Sequence, residues 1–236
     1  MEITKAVNIA PGNEGTKNTL AVCREHLFDS LHQANIIYTL CLTGFLNEDL
    51  STLKEARKLK KLLHKKQEKF SDKIFQTAAS FENLAQTGHF YMHLNDYLKR
   101  MIGSLTLIFD PLYEHLNNSH KPFIKPQVDE LNNLVNDINL LMSRIVYFIK
   151  NEQINDSESL THSLETLNKN LERSGIEQIK RMKKKQVNTR NSILFLNILS
   201  ETKNMLNNTM GLFQSYFRLA TQLKNENPTK PENVIQ

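Results

Sequence analysis

Apolar residues recur at steps of three and four over most of the chain, and one stretch shows the pattern at its clearest. In TGHFYMHLNDYLKRMIGSLTLIFDP, from Thr87 to Pro111, the positions Phe90, Leu94, Tyr97 and Leu98, Met101, Leu105 and Ile108 share one face of a helix. A second stripe, one residue out of phase, carries His89, His93, Asp96 and Arg100 along the edge of that face. The arrangement returns in LFLNILSETKNMLNNTMGLF, from Leu194 to Phe213. There Phe195, Leu199, Glu201, Leu206, Thr209 and Leu212 repeat Phe90, Leu94, Asp96, Met101, Ser104 and Leu107. Two helices of one design predict an internal duplication.

The remaining segments complete a set of six helices. The first runs from Leu20 to Leu46 through Leu27, Leu31, Ala34, Ile37 and Phe45, and Asn47, Glu48 and Asp49 form a turn and supply a cap. The second runs from Leu50 to Phe81 on Leu53, Leu59, Leu62, Leu63, Phe70, Ile74 and Phe75. The third extends to Leu116 with Pro111 inside it, where the missing donor and the clash with the preceding turn predict a kink near Phe109. NNSHKPFIKP, from Asn117 to Pro126, is the clearest break in the chain. Pro126 suits the first turn of a fourth helix, which reaches Asn151 through Leu131, Leu134, Ile138, Leu141 and Ile145. Asp156 or Ser157 caps a fifth, which continues to Lys185, and a sixth spans Asn188 to Leu223. Tyr38 with Tyr147, Asp49 with Asp156 and Asp96 with Glu201 mark the repeat. The prediction is an all-α protein of two tandem antiparallel three-helix bundles, 20–118 and 127–224, joined by 119–126. Residues 1–19 read as a mobile lead-in and 225–236 as a flexible tail.

Composition narrows the class. With 236 residues, 39% of them hydrophobic, the chain can bury a proper core, and only seven glycines and six prolines interrupt it. No stretch approaches the roughly 20 apolar residues of a membrane-spanning helix, and no secretory signal opens the sequence, so a soluble, non-secreted chain is expected. Cys23 and Cys41 fall on one predicted helix, roughly 27 Å apart by helical rise, too far for a bridge. That fits a reducing, cytoplasmic setting.

The formal net charge is +5, and its distribution says more than its size. Between Lys54 and Lys73 nine basic residues face three acidic ones, and the fifth helix ends in KRMKKK. Lys58, Lys61, Lys65, Lys66 and Lys69 in the first run, and Lys180, Lys183, Lys184 and Lys185 in the second, are candidate contacts for anionic lipid headgroups or an acidic partner. Solvated helix faces carry lysines too, so both readings stand. Neither run interleaves aromatics, which argues against nucleic acid.

No phosphate-cradling glycine loop, nucleophile elbow or C-x-x-C pair is present, so any chemistry must come from helix-borne side chains. His89, His93 and Asp96, at i, i+4 and i+7, with the repeat-related Glu201, would suit a transition metal such as iron or zinc. The alternative is that these groups bond to a neighbouring helix. Glu201 lies between Ile198 and Met205 and needs a partner, for which Lys203, Arg190 and Arg100 are available. No motif demands a cofactor or a reaction.

TGHFYMHLNDYL (Thr87 to Leu98), NNSHKPF (Asn117 to Phe123) and TRNSILFLNILSETKN (Thr189 to Asn204), in this order and spacing, resemble the cytoplasmic tail of Pit-type inorganic phosphate transporters of Bacteroides-like bacteria. That tail is similar to PhoU, a phosphate-signalling regulator built from two three-helix bundles. The resemblance spans Leu20 to Leu223 and implies a non-enzymatic module that adjusts or senses phosphate uptake. Its implied partners are the transmembrane portion of a phosphate transporter or the inner face of the plasma membrane. A freestanding metal-binding regulator, or a helical scaffold that forms a homodimer, are the alternatives. PhoU proteins carry acidic E-x-x-x-D repeats; here Asp96 is followed by Arg100 and Glu201 by Met205.

Overall fold

A computed structural model describes residues 13–79, 89–152 and 157–226 of the chain. Six helices follow in order: α1 (Asn13–Leu46), α2 (Leu50–Ala79), α3 (His89–Asn117), α4 (Lys125–Asn151), α5 (Ser157–Lys183) and α6 (Thr189–Glu226). Two boundaries move outward from the expectation. α1 begins at Asn13, inside the expected lead-in, and α6 runs through Glu226, into the expected tail. Each extra turn only propagates a helix already anchored by packing, which costs far less than nucleating one. α4 likewise opens at Lys125, inside the expected joint, with Pro126 in its first turn. Residues 1–12 and 227–236, and the expected end of the second helix at Phe81, lie outside the described residues.

Cross-helix bonds fix the directions. Thr39 Oγ1 donates to Asn139 Oδ1 at 2.7 Å and Arg24 pairs with Glu152, so α1 and α4 run antiparallel. Gln67 Nε2 donates to the buried Asn95 Oδ1 at 2.8 Å while Lys60 pairs with Asp110, which sets α2 against α3. α5 and α6 are tied at Gln178–Ser192 and Asn168–Asn207. The α1–α2 turn, the α3–α4 joint and the α5–α6 turn therefore gather at one end of the molecule.

Packing reflects the duplication. α1 lies on α4 and α3 lies on α6, each central helix against its own repeat counterpart, while α2 touches α1 and α3 and α5 touches α4 and α6. α2 and α5 are thus the two outer edges. Buried residues from all six helices form one continuous core, from Leu27, Ile37 and Leu53 to Met142, Phe195 and Tyr216. Tyr38 Oη and Thr202 Oγ1, both buried and 3.2 Å apart, link the halves across it.

The largest interface is α3 on α6, and because α1 and α2 also pack on α3, α3 buries a wider arc than the expected stripe. Tyr91, Asn95, Ile102 and Phe109 are buried, whereas Phe90 and Tyr97 are half-buried. The repeat pairs Leu94 with Leu199, Met101 with Leu206 and Ser104 with Thr209 are buried on both sides, but Leu107 is exposed where Leu212 is not.

Close approach of α3 and α6 depends on one glycine. A Cβ at Gly211 would enter the ring of Tyr97, whereas one at Gly103 would meet open space. Replacing a helical glycine by alanine where the added methyl meets no neighbour normally stabilises by about 0.5–1 kcal/mol. Gly103→Ala is expected to show that gain in denaturant midpoints at constant m-value. Gly211→Ala should not, because Tyr97 must leave its seat, and the gain should return in a Tyr97→Ala background.

Candidate functional site

The two runs Asn117–Phe123 and Thr189–Asn204, far apart in sequence, meet at the joint end. Asn188 caps α6 by accepting the Asn191 N–H at 2.8 Å. Asn191 Nδ2 then donates to the carbonyls of Lys121 and Pro122 at 3.1 and 2.8 Å, clamping the joint onto α6. His115, almost fully buried, donates from Nε2 to the same Lys121 carbonyl at 2.9 Å and meets Phe45 and Phe123 edge to face. Phe123 in turn packs on Phe195. His120 takes a hydrogen bond from the Arg190 guanidinium; partial desolvation and that positive neighbour hold its pKa below the usual imidazole value, so it stays a neutral acceptor.

Behind this clamp lies a buried polar network. Gln127 Nε2 donates to Gln178 Oε1 at 3.1 Å, Gln178 Nε2 to Ser192 Oγ at 3.1 Å, and Arg181 Nε to Gln178 Oε1 at 2.9 Å. Arg181 also grips Glu130 with both terminal nitrogens, at 2.5 and 3.0 Å, and lies over the Phe195 ring. Arg181, the second residue of the KRMKKK run, is thus a structural cation joining α4 and α5. Lys60 plays a comparable part between α2 and α3, paired with Asp110 and seated over Phe109.

Pro111 sits inside an unbroken α3. Its missing N–H leaves the Leu107 carbonyl without the usual helical donor, and Asn197 Nδ2 of α6 supplies one at 3.0 Å. Around this bond runs a groove of about 730 Å³, walled by Leu107, Glu114, Arg190 and Ile193, within the size range of small-molecule sites.

The proposed metal ligands are placed as follows. His89 and His93 are exposed and adjacent, Nε2 to Nε2 2.9 Å. Asp96, one turn on, bonds instead to Arg100 at 2.9 Å. Glu201 is half-buried on α6 with Asn204 Nδ2 at 3.4 Å. Because α3 and α6 are antiparallel, with Tyr97 beside Gly211 and Leu107 beside Asn197, Glu201 stands about eight residues along from Asp96, roughly 12 Å. The pair does not converge. Among the described residues no three His, Cys, Asp or Glu side chains cluster as a metal site.

Lys58, Lys61, Lys65, Lys66 and Lys69 are all exposed on α2, as are Lys180, Lys183, Lys184 and Lys185 at the end of α5. α2 and α5 do not touch, so the two runs lie on opposite edges and make no common patch. Among the described residues the α2 set forms no ion pair, whereas Lys180 bonds to Glu177 at 2.7 Å.

No protein-family model matches the chain, and no curated protein matches it in sequence. The likeness is structural: PhoU from Pseudomonas aeruginosa superposes with a TM-score of 0.72 over 87% of this chain and 99% of that one, at 9% identity. The fold is PhoU-like. Its six all-helical elements are therefore arranged as the three sequence runs implied. Asn197, Gln178 and Arg181 carry the joint end of this PhoU-like fold but had no sequence signal, since their partners lie on other helices.

Asn197 and Pro111 should be energetically coupled. Asn197→Ala strips the Leu107 carbonyl of its donor and is expected to cost about 1 kcal/mol. In a Pro111→Ala background, where the backbone N–H is restored, that loss should largely vanish. A double-mutant cycle on denaturant unfolding measures the difference, and strict additivity would refute the compensation.

Proposed function

We propose that the chain is a non-enzymatic regulatory module of inorganic phosphate transport, acting at the inner face of the plasma membrane by docking on a transporter or on the bilayer. The observation that carries this reading is the PhoU-like fold, matched over nearly the whole of both chains. The transporter-tail resemblance of its three sequence runs supports it, two of which the fold clamps together through Asn191. Arg181 and Gln178, polar groups at the joint end, are engaged in packing. No helix among the described residues is long and apolar enough to cross a membrane. Contact with a transporter would therefore be made from its aqueous face. Removing the chain from its host is expected to change the initial rate of labelled phosphate uptake at low or at high external phosphate. Equal rates with and without it at both concentrations would overturn the proposal.

A second reading rests on the His89–His93 pair. Two imidazoles one turn apart offer two of the ligands that zinc or iron requires. On this reading Asp96 would have to exchange Arg100 for the metal. Protein purified without a metal-affinity tag would then hold stoichiometric zinc or iron that disappears in His93→Ala. Metal-free protein, or metal content indifferent to that substitution, would eliminate it.

A further inference from the structure

The outward pole of α2 carries a markedly one-sided charge. Leu53, Ala56, Lys60, Leu63, Gln67 and Phe70 are its buried stripe. On the opposite side Lys54, Lys58, Leu62, Lys65 and Lys69 follow at steps of three and four, all exposed. This row extends for about 22 Å along a helix that packs only on α1 and α3, so it points away from the rest of the fold. Among the described residues none of its lysines has a carboxylate partner. Arg57, to one side, is occupied over the Tyr113 ring at 4.8 Å. Within the row sits Leu62, 55% exposed, a large apolar side chain surrounded by ammonium groups.

The duplication supplies its own comparison. The corresponding outward pole of α5 mixes signs, with Glu158, Glu165 and His162 among Lys169, Arg173 and Lys180. A row of four lysines with a single carboxylate, the exposed Asp72, beyond its end on one edge helix, and a mixed pole on its repeat counterpart, is not the general solvation of outer helices.

We infer that the outward pole of α2 is a membrane-docking surface for anionic phospholipid headgroups, with Leu62 entering the interfacial layer between the lysines. This names a partner for the docking side of the function proposed above and rests on that reading. The residue types favour a bilayer over a shaped partner. Lysine is a flexible, hydrated point charge suited to a diffuse field, whereas stereospecific acidic sites are met by the planar fork of arginine. The row runs along one continuous helix. Basic side chains flanking an exposed leucine combine the electrostatic and apolar parts of interfacial binding.

Sedimentation of the full chain with vesicles tests this. Binding is expected to phosphatidylcholine vesicles containing phosphatidylglycerol and not to phosphatidylcholine alone. It should weaken as salt rises from about 0.01 to about 1 M and the Debye length contracts from about 30 to about 3 Å. Each lysine near an anionic surface strengthens partitioning about fivefold, so the triple variant Lys58→Gln, Lys65→Gln, Lys69→Gln should bind roughly 100-fold less. The equally discharged Lys180→Gln, Lys183→Gln, Lys184→Gln should bind nearly as the parent. Leu62→Ser should weaken binding at every salt concentration, since the apolar part is not screened. Far-ultraviolet circular dichroism confirms that each variant is folded. No binding to anionic vesicles, equal losses in the two triple variants, or a preference for single-stranded RNA over vesicles abolished by the α2 changes would each overturn the inference. A phosphate-uptake effect that survives in the α2 triple variant overturns the docking surface and leaves the regulatory function standing. Vesicle binding without any uptake effect does the reverse.

Discussion

The antiparallel contact of α3 with α6 is the constraint on which the rest of the structure depends. These are the two helices that share one pattern, and the fold lays them against each other along most of their length. Toward the start of α3 the contact is close because Gly211 has no side chain and the Tyr97 ring fills that space. Toward its end a backbone defect is shared across the seam, Asn197 satisfying the carbonyl that Pro111 releases. A pair of helices held at both places fixes where α1 and α4 must lie, since their apolar faces close the other side of the same core. α2 and α5 then have only the edges left.

The joint end is built with unusual economy in glycine. α1, α3 and α5 each end with a non-glycine residue in the left-handed region, Glu48, Ser119 and Lys185, at φ of 55, 52 and 55°. Each closes the same pair of backbone bonds: Asp49 to Gly44 and Glu48 to Phe45, His120 to His115 and Ser119 to Leu116, Gln186 to Arg181 and Lys185 to Met182. A left-handed L-residue costs roughly 1–2 kcal/mol relative to the right-handed form. The compensation lies beside each turn: the Asp49 carboxylate accepts the Ser51 and Thr52 N–H groups, Asn191 holds the α3–α4 joint, and the Gln178 network backs the last turn. Rigidity at this end comes from side-chain clamps.

The number, type and order of the helices were legible because their apolar positions repeat at helical spacing, and the turn at Asp49 and the break at Asn117 were legible from local chemistry. The ends of α1 and α6 were not, because propagating a helix that is already formed requires no apolar repeat in the added turns. The width of the buried arc of α3 depends on having neighbours on several sides, which brings Asn95 inside through its bonds to Gln67 and Ser71. Lys60 and Arg181 look like members of basic runs until Asp110 and Glu130, far along the chain, are seen to neutralise them. The equivalence of Asp96 and Glu201 was visible as a repeat. Their separation was not, since it follows from α3 and α6 crossing antiparallel.

Duplication also explains why the two halves can differ without loss of fold. Each central helix packs on its own counterpart, so its apolar face is constrained by both halves, and the matched residues Leu94 and Leu199, and Met101 and Leu206, are all buried. The outward poles of α2 and α5 face no counterpart, and their charges can change freely at little cost in packing. α2 has a structural task on its inner side, through Lys60 and Gln67, while its outer side is a row of lysines around Leu62. A core that requires symmetry and edges that do not is a physical route by which one repeat acquires a docking surface that the other lacks.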